Sequence, residues 1–321
     1  MSTQTRQNQI FTLPDGRRLG YAEYGDPTGI PLLYFHGYPA CRLEAYPLED
    51  MARRQKVRLI ALDRPGFGLS TSQPNRIILD WPTDVFNFAK GMQISRFAVI
   101  GVSGGGPYAL ACAHTFTKRR LMGVGLFASA PPWAAGAYHM SVYRRVMSLM
   151  ASHWPGGLQA LLNGLVRATQ WITSTRPVMR RIESWLEHKK HEKTGAVENV
   201  LQDAAIGLQE KKTTSDRRLE LINALLDEPF AQGAEAAVHE AKLLSSMDWG
   251  FPFEDVKFRT VRSWHGAKDQ NAPATMIRYM AERLPHCIYH EFDDDTHYTM
   301  YKHLEGAIAE IMSEQEIRGE V

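Results

Sequence analysis

Apolar runs alternate with amphipathic helical stretches along residues 10–130. Short apolar runs that end at a glycine, a proline or a polar residue are typical of buried strands. The helical stretches between them are what βαβ crossovers require, so the pattern predicts a mostly parallel sheet flanked by helices. Two further β-rich segments around a Pro-Asp-Gly turn, residues 10–13 and 18–23, predict an antiparallel hairpin at the start. The later predicted strands are residues 31–35, 57–62, 97–102 and 121–127, and the predicted helices are residues 43–54, 83–91 and 107–116.

The pattern changes between residues 131 and 247, where no β-rich run occurs. Long helical stretches rich in Met, Leu, Ala, Trp and charged residues fill this part of the chain. Strand patterns return at residues 258–264 and 287–292, and helical patterns at residues 274–283 and 298–312. We therefore predict an α/β core made of residues 1–130 and 248–321, with an all-helical cap inserted at residues 131–247.

Composition and charge exclude several classes of protein. A chain of 321 residues that is 44% hydrophobic and 22% charged is neither disordered nor fibrous. Its formal net charge of +2 supplies no strong field for nucleic acid or an acidic membrane. The basic pairs are scattered and are interpreted as solvated helix faces: Arg180-Arg181, Lys189-Lys190, Lys211-Lys212 and Arg217-Arg218. We therefore expect a small-molecule substrate, no nucleic-acid partner, and a monomer or homodimer.

Cysteine usage and the absence of long apolar segments indicate a cytoplasmic protein. No stretch approaches the ~18 apolar residues of a membrane span, and residues 1–10 lack the apolar segment of a signal peptide. Cys41, Cys112 and Cys287 cannot all pair and show no metal-binding spacing, which fits a reducing compartment.

The strongest chemical signal is Gly101-Val102-Ser103-Gly104-Gly105, where a buried strand is predicted to end and a helix to begin. A GxSxG in this context is typical of a nucleophilic serine on a strained turn, and bulk at either outer position would clash. The N-terminus of the following helix favours an oxyanion nearby. The alternative is a glycine-rich turn without chemical function. Residues 104–109 also fit GxGxxG/A, but the next strand ends without an acidic residue, which disfavours a dinucleotide site.

A serine nucleophile needs a base to take its proton and an acid to orient that base. Asp269 follows the predicted strand at residues 258–264, and His297 follows the next strand. Both loops are predicted to lie at the carboxyl edge of the sheet, where Ser103 also lies. The order Ser103, Asp269, His297 is one in which such triads occur.

These motifs, with His-Gly-Tyr-Pro at residues 36–39 and Asp-Arg-Pro-Gly-Phe-Gly at residues 63–68, resemble those of the α/β-hydrolase superfamily nearly end to end. The resemblance is to the branch with a helical cap after the sixth strand. It implies an oxyanion hole formed by the backbone N–H groups of Tyr38 and Gly104. A triad with such an oxyanion hole needs no cofactor, so none is expected. The resemblance also implies a structural role for His36.

The acidic run Asp293-Asp294-Asp295 before His297 departs from the similar family. We expect these side chains to be solvated, because exposed charges are the rule in loops. The resemblance places the triad acid at Asp269, and Asp295 is the reserve candidate. His265, which ends a strand, is interpreted as structural.

Two further groups of residues do not by themselves predict a functional site. The histidine pairs His286 with His290 and His188 with His191 lack a third ligand for a metal, so no metal site is predicted. Aromatic and methionine side chains of residues 131–247 fit a pocket lining and a packed core equally well: Trp133, Trp154, Trp171, Trp185, Met140, Met147, Met150 and Met179.

The expected activity is cleavage of a carboxylic ester or lactone of a small, largely apolar substrate. An aminopeptidase or a C–C bond hydrolase would use the same triad, and cyanohydrin lyases of this fold reuse a Ser/His pair. Epoxide and carbon–halogen cleavage in similar proteins uses a carboxylate nucleophile, which Ser103 argues against. The rival from another class is a ligand-binding relative with little or no turnover.

Overall fold

A computed structural model describes residues 6–174 and 227–313 of the protein. Within them, eight strands form one sheet in the spatial order β1-β2-β4-β3-β5-β6-β7-β8. β1 and β2 pair antiparallel, β2 runs antiparallel to β4, and all other neighbours are parallel. The strands are β1 (Gln9–Thr12), β2 (Arg18–Gly25), β3 (Ile30–Phe35), β4 (Val57–Leu62), β5 (Phe97–Val102), β6 (Leu121–Phe127), β7 (Val261–Gly266) and β8 (Cys287–Phe292). The predicted hairpin and the mostly parallel sheet are both confirmed.

Helices cover both faces of the sheet, which is why the central strands are apolar throughout rather than alternating. Side chains of α2, α3 and α7 join the core on one face, and those of α1 and α8 join the core on the other. Every residue of β5 and β6 is buried between these layers. The described helices are α1 (Glu49–Arg54), α2 (Trp81–Gly91), α3 (Gly106–Thr115), α4 (Val142–His153), α5 (Pro155–Ser174), α6 (Glu235–Leu244), α7 (Ala274–Arg283) and α8 (Leu304–Met312).

Some predicted boundaries differ from the observed ones. The helix predicted at residues 43–54 is a 3₁₀ segment, Arg42–Leu48, followed by α1. Pro47 lies inside that segment and has no N–H to donate, which disfavours a continuous α-helix. The last predicted helix likewise begins as a 3₁₀ segment, Thr299–His303. Phe258 is buried in the core, but β7 starts only where the Val261 N–H donates to the carbonyl of His286.

The described part of residues 131–247 is helical and contains no strand. α4 packs against α5 and α6, and Ala151, Leu158 and Val238 are buried where the three helices meet. α6 also contacts the loop that follows β4, because Ala236 and Ala237 pack against Phe67. Several residues interpreted from the sequence lie outside the described residues: Met179, Trp185, His188, His191 and the four basic pairs.

Candidate active site

Ser103 follows β5 directly and has a backbone φ of +48°, in the left-handed region that non-glycine residues seldom adopt. The glycines around it are required by close backbone approach. A Cβ on Gly101 would lie 2.3 Å from the carbonyl oxygen of Gly105, and one on Gly105 would lie 2.1 Å from that of Phe35. The turn therefore needs glycine at both outer positions of the motif.

Gly105→Ala is expected to lower the free energy of unfolding by about 3 kcal/mol, because the added methyl overlaps backbone atoms that cannot rotate away. Gly306→Ala is the matched control. Gly306 lies in α8 with nothing within 4 Å of its Cβ position, so that change is expected to stabilise by about 0.5 kcal/mol. Urea denaturation of the two variants measures the difference, and equal stability would contradict the packing argument.

Ser103, His297 and Asp269 form a continuous chain of hydrogen bonds. His297 Nδ1 lies 2.6 Å from Asp269 Oδ2, and His297 Nε2 lies 3.0 Å from Ser103 Oγ. Because a carboxylate only accepts, Nδ1 carries the ring proton and Nε2 is free to accept from the serine hydroxyl. The structure thus brings together the three side chains predicted from the sequence.

The Asp269 carboxylate is held by its own loop. Its Oδ1 accepts the backbone N–H groups of Asn271 and Ala272 at 2.7 and 2.8 Å. Burial alone would raise the pKa of Asp269, but the hydrogen bond from His297 and the backbone N–H of Ala272 help to lower that pKa below its usual 3.8. Asp269 is therefore an anion at neutral pH, oriented towards the imidazole.

His265 lies against the same carboxylate, a contact that the sequence interpretation did not anticipate. Its Nε2 donates to the carbonyl of Ala272 at 2.7 Å and lies 3.4 Å from Asp269 Oδ2. Burial lowers the pKa of His265, so the ring is neutral and the contact with Asp269 is not an ion pair. Its hydrogen bond to Ala272 supports a structural role in shaping the acid loop.

The acidic run before His297 divides into two kinds of residue. Asp293 and Asp294 are exposed, as expected. For Asp295 the expectation was wrong, because that carboxylate is buried and accepts hydrogen bonds from Thr299 and His303 at 2.8 Å each. Lys302 adds an ion pair at 2.6 Å. Asp269, and not the reserve candidate Asp295, contacts His297.

The loop after β3 lies beside the serine. A Cβ on Gly104 would lie 3.1 Å from the backbone nitrogen of Tyr38, so the two predicted oxyanion donors belong to adjoining backbone segments. His36 is fully buried, accepts the N–H of Arg64 at its Nε2 (3.1 Å) and donates from Nδ1 to the carbonyl of Gly37 (2.8 Å). His36 therefore braces this loop, as the structural interpretation held.

Glu44 is a site residue that the sequence did not reveal. Its Oε2 accepts the N–H of Gly37 at 2.7 Å and the hydroxyl of Tyr34 at 3.1 Å. Burial raises the pKa of Glu44 above its usual 4.5, and these hydrogen bonds offset only part of that effect. A glutamate within a 3₁₀ segment carries no sequence signal for such a contact.

Glu44→Gln is expected to flatten the dependence of stability on pH. The folded protein binds the Glu44 proton more tightly than the unfolded chain, because its folded-state pKa is raised. The stabilisation is therefore complete below the usual pKa and is lost as the pH rises through the raised value. Chemical denaturation between about pH 4 and pH 7 should show the wild type losing stability relative to the variant. A difference that stays constant with pH would contradict this.

A cavity of about 1060 Å³ opens at Ser103 and His297. Its lining is mainly apolar and includes Trp133, Met140, Met147 and Leu244. It also includes five charged side chains, those of Glu44, Asp50, Arg54, Lys302 and Glu305, of which Arg54 and Glu305 form an ion pair at 3.0 Å. The cavity thus offers apolar and charged surface to one bound molecule.

The aromatic and methionine side chains of residues 131–247 lie in different environments. Trp133, Met140 and Met147 line the cavity and also pack in small apolar clusters, so they fit both interpretations. Met150 packs on the cluster between α4, α5 and α6. Trp154 and Trp171 are 66% and 67% exposed and belong to neither.

The described residues hold no group of three or more His, Cys, Asp or Glu side chains arranged for a metal ion. His290, one member of a pair considered for this purpose, stacks on Trp264 with ring centroids 5.7 Å apart. Across the described ranges, no helix has the length and apolar character to cross a bilayer.

Comparison with known sequences gives an extensive match to a family model and partial matches to two curated proteins. A family model described as alpha/beta hydrolase fold matches residues 30–304. A proline iminopeptidase of Xylella fastidiosa (strain 9a5c) is 31% identical over 120 residues, which make up 35% of this chain and 37% of that protein. The chain therefore spans little more than a third of the length of this curated relative.

Solved structures resemble the protein over nearly all of its length. Bromoperoxidase from Bacillus anthracis gives a TM-score of 0.63 at 17% identity, covering 96% of this chain and all of its own. The enol-lactonase from Burkholderia xenovorans LB400 gives a TM-score of 0.60 at 16% identity, covering 95% of this chain and all of its own. At such identities the likeness concerns the fold.

Proposed function

The chain belongs to the α/β-hydrolase family, and on that premise we propose that it is a serine hydrolase cleaving a carboxylic ester or lactone of a small, largely apolar substrate. The observation that carries the proposal is the hydrogen-bond chain from Ser103 through His297 to Asp269, at a cavity whose lining is mainly apolar. This arrangement has the base within reach of the nucleophile and the acid within reach of the base.

In the proposed mechanism, His297 Nε2 takes the proton of Ser103 as Oγ attacks the substrate carbonyl. Asp269 holds the imidazole and stabilises its protonated form. The backbone N–H groups of Tyr38 and Gly104 stabilise the tetrahedral oxyanion, each typically contributing about 3 kcal/mol. His297 then protonates the leaving group, which departs and leaves Ser103 acylated. His297 next takes a proton from water as the water attacks the acyl-enzyme, and returns that proton to Ser103 Oγ as the acid product leaves. No cofactor takes part.

We also propose that residues 131–247 act as a helical cap on a core made of residues 1–130 and 248–321. In support, Met147 of α4 and Leu244 of α6 line the same cavity as Ser103. The hydroxyl of Tyr38 in the oxyanion loop donates to the carbonyl of Ala237 on α6 at 2.9 Å. A cap in this position would select substrates by the size of their apolar part.

The second candidate is an aminopeptidase, favoured by the partial identity with a proline iminopeptidase. The same triad would then attack an amide carbonyl. Glu44, a carboxylate in the cavity wall, is a group that could accept the substrate's ammonium. Turnover of aminoacyl p-nitroanilides in preference to esters would favour this candidate.

The test is labelling with a fluorophosphonate, read by intact mass and peptide mapping, beside a chain-length series of p-nitrophenyl esters and several lactones. An adduct on Ser103 that requires His297, together with ester or lactone turnover, is the expected result. No adduct on the folded protein would contradict the proposal. Thermal stabilisation by a ligand without product would then favour the binding protein.

A further inference from the structure

The peptide bond between Gly37 and Tyr38 is restrained by hydrogen bonds to its carbonyl oxygen. The carbonyl of Gly37 accepts two hydrogen bonds, from His36 Nδ1 at 2.8 Å and from Arg64 Nη2 at 2.9 Å. The Gly37-Tyr38 peptide is trans. In a planar trans peptide the C=O and the following N–H point in opposite directions. Restraining the carbonyl of Gly37 therefore restrains the direction of the Tyr38 N–H.

Arg64 makes this restraint together with two other contacts. Its Nη1 donates to the carbonyl of His36 at 2.5 Å, and its Nε donates to Glu240 Oε1 at 2.7 Å. Because the guanidinium is a rigid plane, the three contacts depend on one another. A movement of Glu240 would therefore change the hydrogen bond from Arg64 Nη2 to the Gly37 carbonyl.

Glu240 lies on α6, one of the helices at the cavity. Its carboxylate also accepts hydrogen bonds from Arg76 and from the hydroxyl of Tyr108. Glu240, Arg64 and Tyr108 are fully buried, and Arg76 is nearly so. Burial by itself would raise the pKa of Glu240, but the charges of Arg64 and Arg76 lower it below its usual value. The carboxylate is therefore charged and anchors Arg64.

Charged groups of both signs lie at the oxyanion loop. Arg64 and Arg76 share the Glu240 carboxylate, and the Glu44 side chain accepts the Gly37 N–H. His36 adds no charge, because burial and the nearby Arg64 hold its pKa well below its usual value. Buried ion pairs are weak evidence for stability, whereas the contacts of Arg64 with the His36 and Gly37 carbonyls hold the peptide that carries the Tyr38 N–H.

We propose that Arg64, anchored by Glu240 of α6, is a positioning residue that aims the Tyr38 N–H at the oxyanion formed during attack by Ser103. The inference rests on the proposed serine hydrolase function. It couples the oxyanion hole to α6, a helix contributed by residues 131–247, through Glu240.

The test compares Arg64→Lys and Arg64→Gln with a matched control, Arg76→Gln. Arg76 shares Glu240 with Arg64 but, among the described residues, hydrogen-bonds neither the His36 nor the Gly37 carbonyl. Arg64→Lys keeps the buried cation, but a single ammonium cannot maintain all three contacts. The readouts are kcat and KM on p-nitrophenyl butyrate, the inhibition constant of an alkyl trifluoromethyl ketone, and the melting temperature.

Both Arg64 variants are expected to lose about 10²-fold in kcat with KM changed less than about threefold, because an oxyanion donor acts mainly in the transition state. Their affinity for the trifluoromethyl ketone should fall in the same proportion, since its adduct with Ser103 carries the oxyanion. Glu240→Gln is expected to lose about tenfold in kcat, and Arg76→Gln less than about threefold.

An equal loss of kcat in Arg76→Gln would overturn the proposal, because the effect would then follow from disruption of the buried cluster. An Arg64 loss of kcat without weaker binding of the trifluoromethyl ketone would also overturn it. If Arg64→Gln does not fold, Arg64→Lys and Glu240→Gln decide. A wild type that forms no fluorophosphonate adduct refutes the serine hydrolase function itself. A labelled wild type with a fully active Arg64→Lys refutes only the positioning role.

Discussion

Ser103→Ala is expected to lower kcat on the best p-nitrophenyl ester by at least about 10⁴-fold, because no other group in the arrangement can form the acyl-enzyme. The hydroxyl is the only group removed, and the φ of +48° at this position is strained equally in both proteins. We therefore expect the melting temperature to change little. The rate is measured with enough protein to detect slow turnover, and the melting temperature by calorimetry.

The matched control is Ser148→Ala. Ser148 also lines the cavity, but its hydroxyl donates to Ser245 Oγ at 2.7 Å. We expect that variant to keep its kcat within about threefold of the wild type. If Ser103→Ala retained more than about a tenth of the wild-type activity, Ser103 would not be the nucleophile.

Asp269→Asn is expected to lower kcat by about 10⁴-fold through the tautomer of His297. Oδ1 of Asp269 accepts two backbone N–H groups, from Asn271 and Ala272, so an asparagine would keep its amide oxygen there. Its NH₂ group would then face His297 Nδ1, which would have to accept. The ring proton would move to Nε2, where it prevents His297 from taking the proton of Ser103.

Asp295→Asn is the control for this prediction, because Asp295 is the other buried aspartate near His297 in the sequence. It contacts Thr299, Lys302 and His303 rather than the imidazole. We expect kcat within about threefold of the wild type and a lower melting temperature, since a buried charge cluster loses one partner. A large loss of kcat in Asp295→Asn, with Asp269→Asn still active, would reverse the two assignments.

The local pattern of the chain predicted most of the fold because strand and helix periods depend on near neighbours. β3, β4, β5 and β6 coincide with the predicted apolar runs to within one residue. The misassigned segment, residues 43–54, has helical periodicity but contains Pro47, and the backbone there adopts a tighter helix before α1. Element type follows from periodicity, whereas a proline decides how far one hydrogen-bond pattern extends.

The site was predictable where its residues obey a local rule. The glycines around Ser103 are required by backbone atoms that approach within a few residues or from the adjacent strand. Glu44 and Glu240 obey no such rule, because their partners in the oxyanion loop and at Arg64 come from other elements. Glu240 meets Arg64 across 176 positions of the chain.

The sequence by itself determined the succession of strands and helices along the chain, the turn that presents Ser103, and the loops that carry Asp269 and His297. These depend on periodicity, on small residues at a tight turn, and on parallel strands ending at one edge of the sheet. The family resemblance placed the triad acid at Asp269, whereas only the tertiary structure decided that Asp295 is buried among Thr299, Lys302 and His303 rather than solvated. Two equivalent carboxylates in neighbouring loops differ only in direction, and direction is set by packing between elements distant in the chain.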